Sequence, residues 1–131
     1  MKEMSAVLNI LYVEDNNDIR EMVVELLENP ERRIVACADA EAAWQHLQRE
    51  PVDVLITDVN LPGWTGTELA RRWLESDARR WVILFSGYDF KSTLISLGPN
   101  VRALPKEDFD RLDRLLVEID RARQTGPLGD R

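Results

Sequence analysis

Cysteine is all but missing from this chain. Its single thiol, Cys37, cannot close an internal disulfide, and no cluster of Cys and His exists to build a zinc site. Cys37 falls in Ile34-Val35-Ala36-Cys37, which reads as a buried strand where a thiol acts as a small hydrophobe. Long apolar stretches are missing too. No run approaches the ~18 residues of a membrane span, and Met1 to Val7 carries no signal-peptide pattern. The expected location is a reducing cytoplasm. Positive charge is scarce: 17 Lys and Arg stand against 24 Asp and Glu, for a net charge of -7. That balance argues against direct nucleic-acid binding, which needs a basic face, and against docking on an anionic membrane. Histidine occurs once, as His46, off the apolar face of its helix, and reads as a solvated surface residue.

What is present is a regular alternation. The 131 residues suit one domain, expected over 1–125, with a flexible Gly/Pro-rich tail over 126–131. Leu8 to Val13 is a short apolar run that ends at Glu14-Asp15. Ile19, Met22, Val23, Leu26 and Leu27 follow at helical spacing, predicting a helix from Asp18 to Glu28 that Asn29-Pro30 ends. Arg33 to Cys37 reads as the second strand. Asp39 is a suitable N-cap for a helix over Ala40 to Arg49. Val52 to Thr57 runs as a third strand into Asp58, and the turn-rich Leu61 to Gly66 leads to a helix over Thr67 to Glu75. Trp81 to Phe85 is a fourth strand running into Ser86-Gly87. Tyr88 to Leu97 reads as a short, weak helix, Val101 to Leu104 as a fifth strand, and Phe109, Leu112, Leu115, Leu116 and Ile119 mark a last helix. Five strands alternating with five helices predict an α/β fold. Its sheet is parallel and doubly wound, with right-handed crossovers and helices on both faces.

Ligands of such open sheets bind at the carboxyl ends of the strands. There the first strand ends in Glu14-Asp15, the third in Asp58, the fourth in Ser86 and the fifth in Lys106. Three gathered carboxylates repel one another. A hard divalent cation removes that conflict, and an oxygen-only donor set suits Mg²⁺, which keeps coordination positions open for phosphoryl oxygens.

This constellation resembles the receiver domain of two-component response regulators. The resemblance runs from Leu8 to about Arg123. It rests on Ile10-Leu11-Tyr12-Val13-Glu14-Asp15-Asn16, Leu55-Ile56-Thr57-Asp58-Val59-Asn60-Leu61-Pro62-Gly63, Ile83-Leu84-Phe85-Ser86-Gly87 and Leu104-Pro105-Lys106. It implies a five-stranded sheet of order 2-1-3-4-5. It implies that Asp58 accepts a phosphoryl group from a sensor histidine kinase or histidine phosphotransfer protein, switching the binding of a downstream protein target. Asp58, Glu14, Asp15 and the Asn60 backbone carbonyl would hold Mg²⁺. Lys106 and Ser86 would contact the phosphoryl oxygens. Such a domain is a phosphoacceptor signalling module that promotes its own phosphorylation and dephosphorylation, not a conventional enzyme.

Several residues depart from the family pattern. Glu107 stands where a proline usually follows the lysine in a cis bond, so either a strained bond or a rearranged loop is expected. Ala103 replaces the usual aromatic residue of the fifth strand, and Trp64 replaces a smaller aliphatic one. Tyr88, in the segment Gly87 to Gly98, is then the candidate for the moving aromatic of the output switch. The main alternative is a pseudo-receiver, a phosphorylation-independent interaction module. A haloacid-dehalogenase-like phosphatase is a weaker one, since Asn60 stands where that class needs a second carboxylate.

Overall fold

The computed structural model describes residues 7–86 and 97–129, with side chains up to 85 and from 97 to 124. The strands are β1 (Leu8–Val13), β2 (Arg32–Cys37), β3 (Val54–Thr57), β4 (Trp81–Ser86) and β5 (Val101–Pro105). The helices among the described residues are α1 (Asn17–Leu27), α2 (Ala40–Arg49), α3 (Gly66–Leu74) and α4 (Phe109–Gly129). All strand pairs are parallel, and the sheet order is β2-β1-β3-β4-β5, as the resemblance implies. The expected helix over Tyr88 to Leu97, including Tyr88 itself, lies almost wholly outside the described residues.

Side-chain alternation along the strands builds two cores. On one face Leu11, Val13, Leu55, Val82 and Leu84 pack with Ala40 and Ala43 of α2 and Leu69, Ala70, Trp73 and Leu74 of α3. On the other, Ile10, Tyr12, Ile56, Ile83 and Phe85 pack with Val23 and Leu27 of α1 and Leu112, Leu116 and Ile119 of α4. Helices therefore cover both faces, and the central strands are apolar on both sides for that reason. Met22 and Leu26, read from periodicity as part of the inward face of α1, remain exposed. His46 is partly buried and lines an open surface concavity together with Arg33 and Arg49.

Local chemistry fixes the helix starts. Asn16, Asp39 and Thr65 each accept a bond from the backbone N–H three residues on, at 2.9, 2.8 and 3.1 Å. Strand β3 begins two residues later than Val52. Asp53 replaces ladder pairing with its side chain, accepting from the Asn9 N–H at 2.8 Å, while its own N–H donates to the Asn9 carbonyl at 2.8 Å. Helix α4 continues through 126–129, where Gly126, Pro127 and Gly129 suggest a tail.

Candidate functional site

Three strand ends converge as the topology requires. β1 delivers Glu14 and Asp15, and the central β3 delivers Asp58 beside them. The Asp58 N–H donates to the Val13 carbonyl at 3.1 Å, and the Glu14 N–H donates to the Cys37 carbonyl at 3.0 Å. Glu14 is 1% exposed and Asp58 7%, whereas Asp15 is open to solvent. One carboxylate oxygen from each of Glu14, Asp15 and Asp58 lies within 4.8 Å of the others.

Lys106 completes the group. Its Nζ sits 2.7 Å from Glu14 Oε1 and 2.8 Å from Asp58 Oδ2, so one ammonium neutralises part of a buried acid pair. Partial burial pushes the Lys106 pKa down. The bonds and charges of Asp58 and Glu14 outweigh that and leave it raised, so the lysine stays charged. The remaining carboxylate oxygens are directed by backbone donors. The Asn16 N–H donates to Glu14 Oε2 at 3.1 Å, and the Asn60 N–H donates to Asp58 Oδ1 at 3.3 Å. Asn60, one of the expected metal ligands, is thus adjacent to Asp58. Ser86 ends β4 with its backbone in register with Pro105, but its side chain lies outside the described residues.

Lys106 needs no cis bond to reach the acids. Every peptide bond among the described residues is trans, the Lys106–Glu107 bond included. A turn holds the lysine instead: the Asp108 N–H donates to the Pro105 carbonyl at 3.0 Å, and Asp108 caps α4 through the Arg111 N–H at 3.2 Å.

Three residues at the site escape a reading of strand-end motifs. Gly66 starts α3 directly against Asp58, and a Cβ there would lie 1.9 Å from the Asp58 carbonyl oxygen. Its N–H donates to the Val59 carbonyl at 2.8 Å, closing the loop in which Gly63 takes a positive φ of 78°. Arg20 donates to the Glu14 carbonyl at 2.7 Å and also bonds the Asn17 side chain, tying the β1–α1 loop to the first turn of α1. Tyr12 buries its hydroxyl beside Glu14. Burial first, then the charges of Glu14 and Asp58, push its pKa well above the usual phenol value, so it stays protonated. A capping-sized glycine, a helix arginine and a core tyrosine have ordinary sequence contexts, and only their three-dimensional neighbours mark them out.

Residues 10–98 match the family model of the response regulator receiver domain. The chain belongs to that family. It is 35% identical over 79 residues to the response regulator receiver protein CpdR of Brucella abortus, covering 60% of this chain and 66% of that protein. It is 29% identical over 117 residues to the response regulator GtcR of Aneurinibacillus migulanus, covering 86% and 48%. The chain thus spans about half to two thirds of these relatives' lengths. Among solved structures, the response regulator TrrA of Thermotoga maritima, in complex with Mg²⁺ and beryllofluoride, superposes with a TM-score of 0.77 at 25% identity, covering 86% of this chain and 99% of TrrA. Receiver domains are signalling domains rather than conventional enzymes. The acidic cluster of this receiver fits the family's Mg²⁺ site: three hard carboxylates converge, one of them solvent-facing. No helix among the described residues is long and apolar enough to cross a membrane.

Proposed function

We propose that this receiver accepts a phosphoryl group on Asp58 from a phosphohistidine of a sensor histidine kinase or histidine phosphotransfer protein, and that the modification switches its binding of a downstream protein target. The observation that supports this reading is the Lys106 ammonium seated between Glu14 and Asp58, at 2.7 and 2.8 Å, beside the open Asp15. An acid pair, an accessible third carboxylate and a cation are what a phosphoryl acceptor needs, because the chemistry is mostly positioning and charge neutralisation.

In this reading an Asp58 carboxylate oxygen bonds to phosphorus as the phosphorus–nitrogen bond to the donor imidazole breaks, and the nitrogen keeps the electron pair. Asp15 would hold Mg²⁺ directly, Glu14 would do so directly or through water, and Asp58 and the Asn60 carbonyl would complete the protein's share. When bound, Mg²⁺ offsets the repulsion between the carboxylates and the incoming phosphoryl oxygens. Lys106 turns from the acid pair to a phosphoryl oxygen as a point charge, and the Ser86 hydroxyl donates to another. Later attack by water on phosphorus returns the free carboxylate. In this reading the receiver works in the cytoplasm and acts through protein partners.

The test is intact-mass measurement after incubation with MgCl₂ and acetyl phosphate. The wild-type chain is expected to gain one labile phosphoryl group and Asp58→Asn none. Equal labelling of the variant refutes Asp58 as the acceptor. A wild-type chain that stays unlabelled, both here and with a panel of histidine kinases, favours the phosphorylation-independent module.

A further inference from the structure

Two unfilled surfaces meet at the β2 edge of the sheet. The first is the strand itself. β2 ends the order β2-β1-β3-β4-β5, so only β1 pairs with it. The Leu8 N–H donates to the Glu31 carbonyl and the Glu14 N–H to the Cys37 carbonyl, at 2.9 and 3.0 Å. Those two bonds set the phase of the ladder. Arg33, Val35 and Cys37 turn their backbone groups towards β1, and Ile34 and Ala36 turn theirs outwards. No group among the described residues bonds to the outward N–H and C=O of Ile34 and Ala36. Ala36 is exposed, and no proline interrupts the strand, so the edge is open to pairing.

The second surface is a concavity on the α2 side of the same strand. Strand alternation brings Arg33, Val35 and Cys37 to it, and helical spacing brings Gln45, His46 and Arg49. Arg33 and Arg49 are exposed and have no hydrogen bond or ion pair among the described residues. Arg32, next in sequence, differs: it turns to the opposite face, where it bonds the Leu27 carbonyl and Asp113 at 2.9 and 2.8 Å. Glu50 is the one acid among the residues that line the concavity. On a chain of net charge -7, two free guanidinium groups and an imidazole facing a single carboxylate make a local exception.

We propose that the β2 edge is a docking surface for an extended, acidic segment of a partner protein, which pairs with Ile34 and Ala36 and sets alternate Asp or Glu side chains against Arg33, His46 and Arg49. Both surfaces select that occupant. Outward N–H and C=O groups need a backbone that donates and accepts, which a peptide has and a phosphodiester chain or a small anion lacks. The side chains of an added strand alternate, so every second one faces the α2 flank and meets the cations. A second copy of this chain, pairing β2 with β2, would set two such cationic concavities side by side, and charge opposes that. Backbone bonds give the affinity, and the cations choose among partners. The docking does not depend on phosphorylation of Asp58.

The probe is a fluorescein-labelled peptide of alternating Glu and Val, matched to the six residues of β2, titrated against the full chain at low salt and followed by anisotropy. Cys37, the single thiol of the chain, lines the concavity and gives a local readout through its rate of reaction with a neutral maleimide. The wild type is expected to bind this peptide at least tenfold more tightly than its Lys-Val counterpart, and bound peptide to slow Cys37 labelling severalfold. The double variant Arg33→Glu/Arg49→Glu is expected to keep its denaturation midpoint, because both residues are exposed, and to lose about tenfold or more in affinity. Peptides N-methylated at alternate amides test the pairing on the unaltered protein: methylation in one phase should abolish binding, and in the other it should be tolerated. No preference for the acidic peptide, full affinity in the double variant, or Cys37 labelling that bound peptide leaves unchanged overturns the proposal. So does equal binding of both methylated peptides, which would leave only a non-specific attraction of charge.

Discussion

Replacing Lys106 by Met removes the one cation among the described residues that touches both buried carboxylates, at nearly unchanged side-chain length. Each contact, at 2.7 and 2.8 Å, has a gross attraction of about 6 kcal/mol at the effective dielectric of ~20 suited to protein sites. Most of that is offset by the cost of taking the groups out of water. The larger effect of the variant is to leave Glu14 and Asp58 buried and uncompensated, which costs roughly 3 kcal/mol. Partial exposure of the lysine screens the pair and argues for the low end of the range. Guanidinium denaturation without metal should therefore place Lys106→Met about 3 kcal/mol below the wild type. Adding MgCl₂ should recover more stability in the variant, because its acids have no internal cation to displace and bind the ion more tightly. The pH dependence has a definite sign. Because the folded pKa of Lys106 is raised, its stabilisation is complete below the unfolded value of about 10.4 and disappears as the pH rises through the folded one. The gap between wild type and variant should stay level from pH 7 to 9 and close only in stronger alkali. A gap under about 0.5 kcal/mol at pH 7, or weaker Mg²⁺ binding in the variant, would refute the account.

Three other outcomes follow from individual contacts. Gly66→Ala should destabilise by about 2–4 kcal/mol, although helix propensity alone favours alanine by about 1 kcal/mol. A Cβ 1.9 Å from the Asp58 carbonyl cannot be accommodated without moving α3 or the acceptor itself, and a stabilised variant in thermal denaturation would show that this approach is wrong. Asp15→Asn should weaken Mg²⁺ binding in titration calorimetry by tenfold or more. It should leave metal-free stability within about 0.5 kcal/mol, because Asp15 is exposed, and an unchanged affinity removes it from the ligand set. Trp64→Phe should lose most of the fluorescence change that Mg²⁺ and beryllofluoride induce. Trp64 lies in the β3–α3 loop, 6.0 Å from Trp44 and with the Arg72 guanidinium 4.5 Å above its ring, and a full signal in the variant would transfer the report to Trp44, Trp73 or Trp81.

The fold was legible because burial on both faces leaves an uninterrupted apolar signature. Leu8 to Val13 and Trp81 to Phe85 read as strands for that reason, and both are. Asp39 marked a helix start through a bond only three residues long, which sequence spacing captures. Met22 and Leu26 show where the same logic fails. They continue the apolar period of α1, but the stripe is wider than the surface α4 and the sheet offer, so they stay at the rim. At the site, Glu14, Asp15, Asp58 and Lys106 were legible because each follows a strand directly, so the topology alone brings them to one edge. Gly66, Arg20 and Tyr12 were not. Their importance comes from a backbone approach, a side-chain tether to a carbonyl and a hydroxyl buried beside Glu14, and none of these is encoded in local pattern.

The glutamate after Lys106 tests how much of a receiver's geometry a single family residue must carry. A proline at that position would fix one backbone angle and remove one N–H. Here the lysine is held from both sides by other means. On its N-terminal side Pro105 has its own backbone angle fixed and sits at the end of edge strand β5, where its missing N–H costs the ladder nothing. On its C-terminal side Asp108 closes the turn with its N–H and caps α4 with its carboxylate, so the helix anchored by Leu112 sets where the turn ends. Between these anchors only Lys106 and Glu107 remain to be placed, and a trans chain of that length brings the ammonium within 2.8 Å of both acids. The constraint that matters is the distance between the end of β5 and the start of α4. Lys106 and Glu107 span it with a trans bond and present the lysine to Glu14 and Asp58.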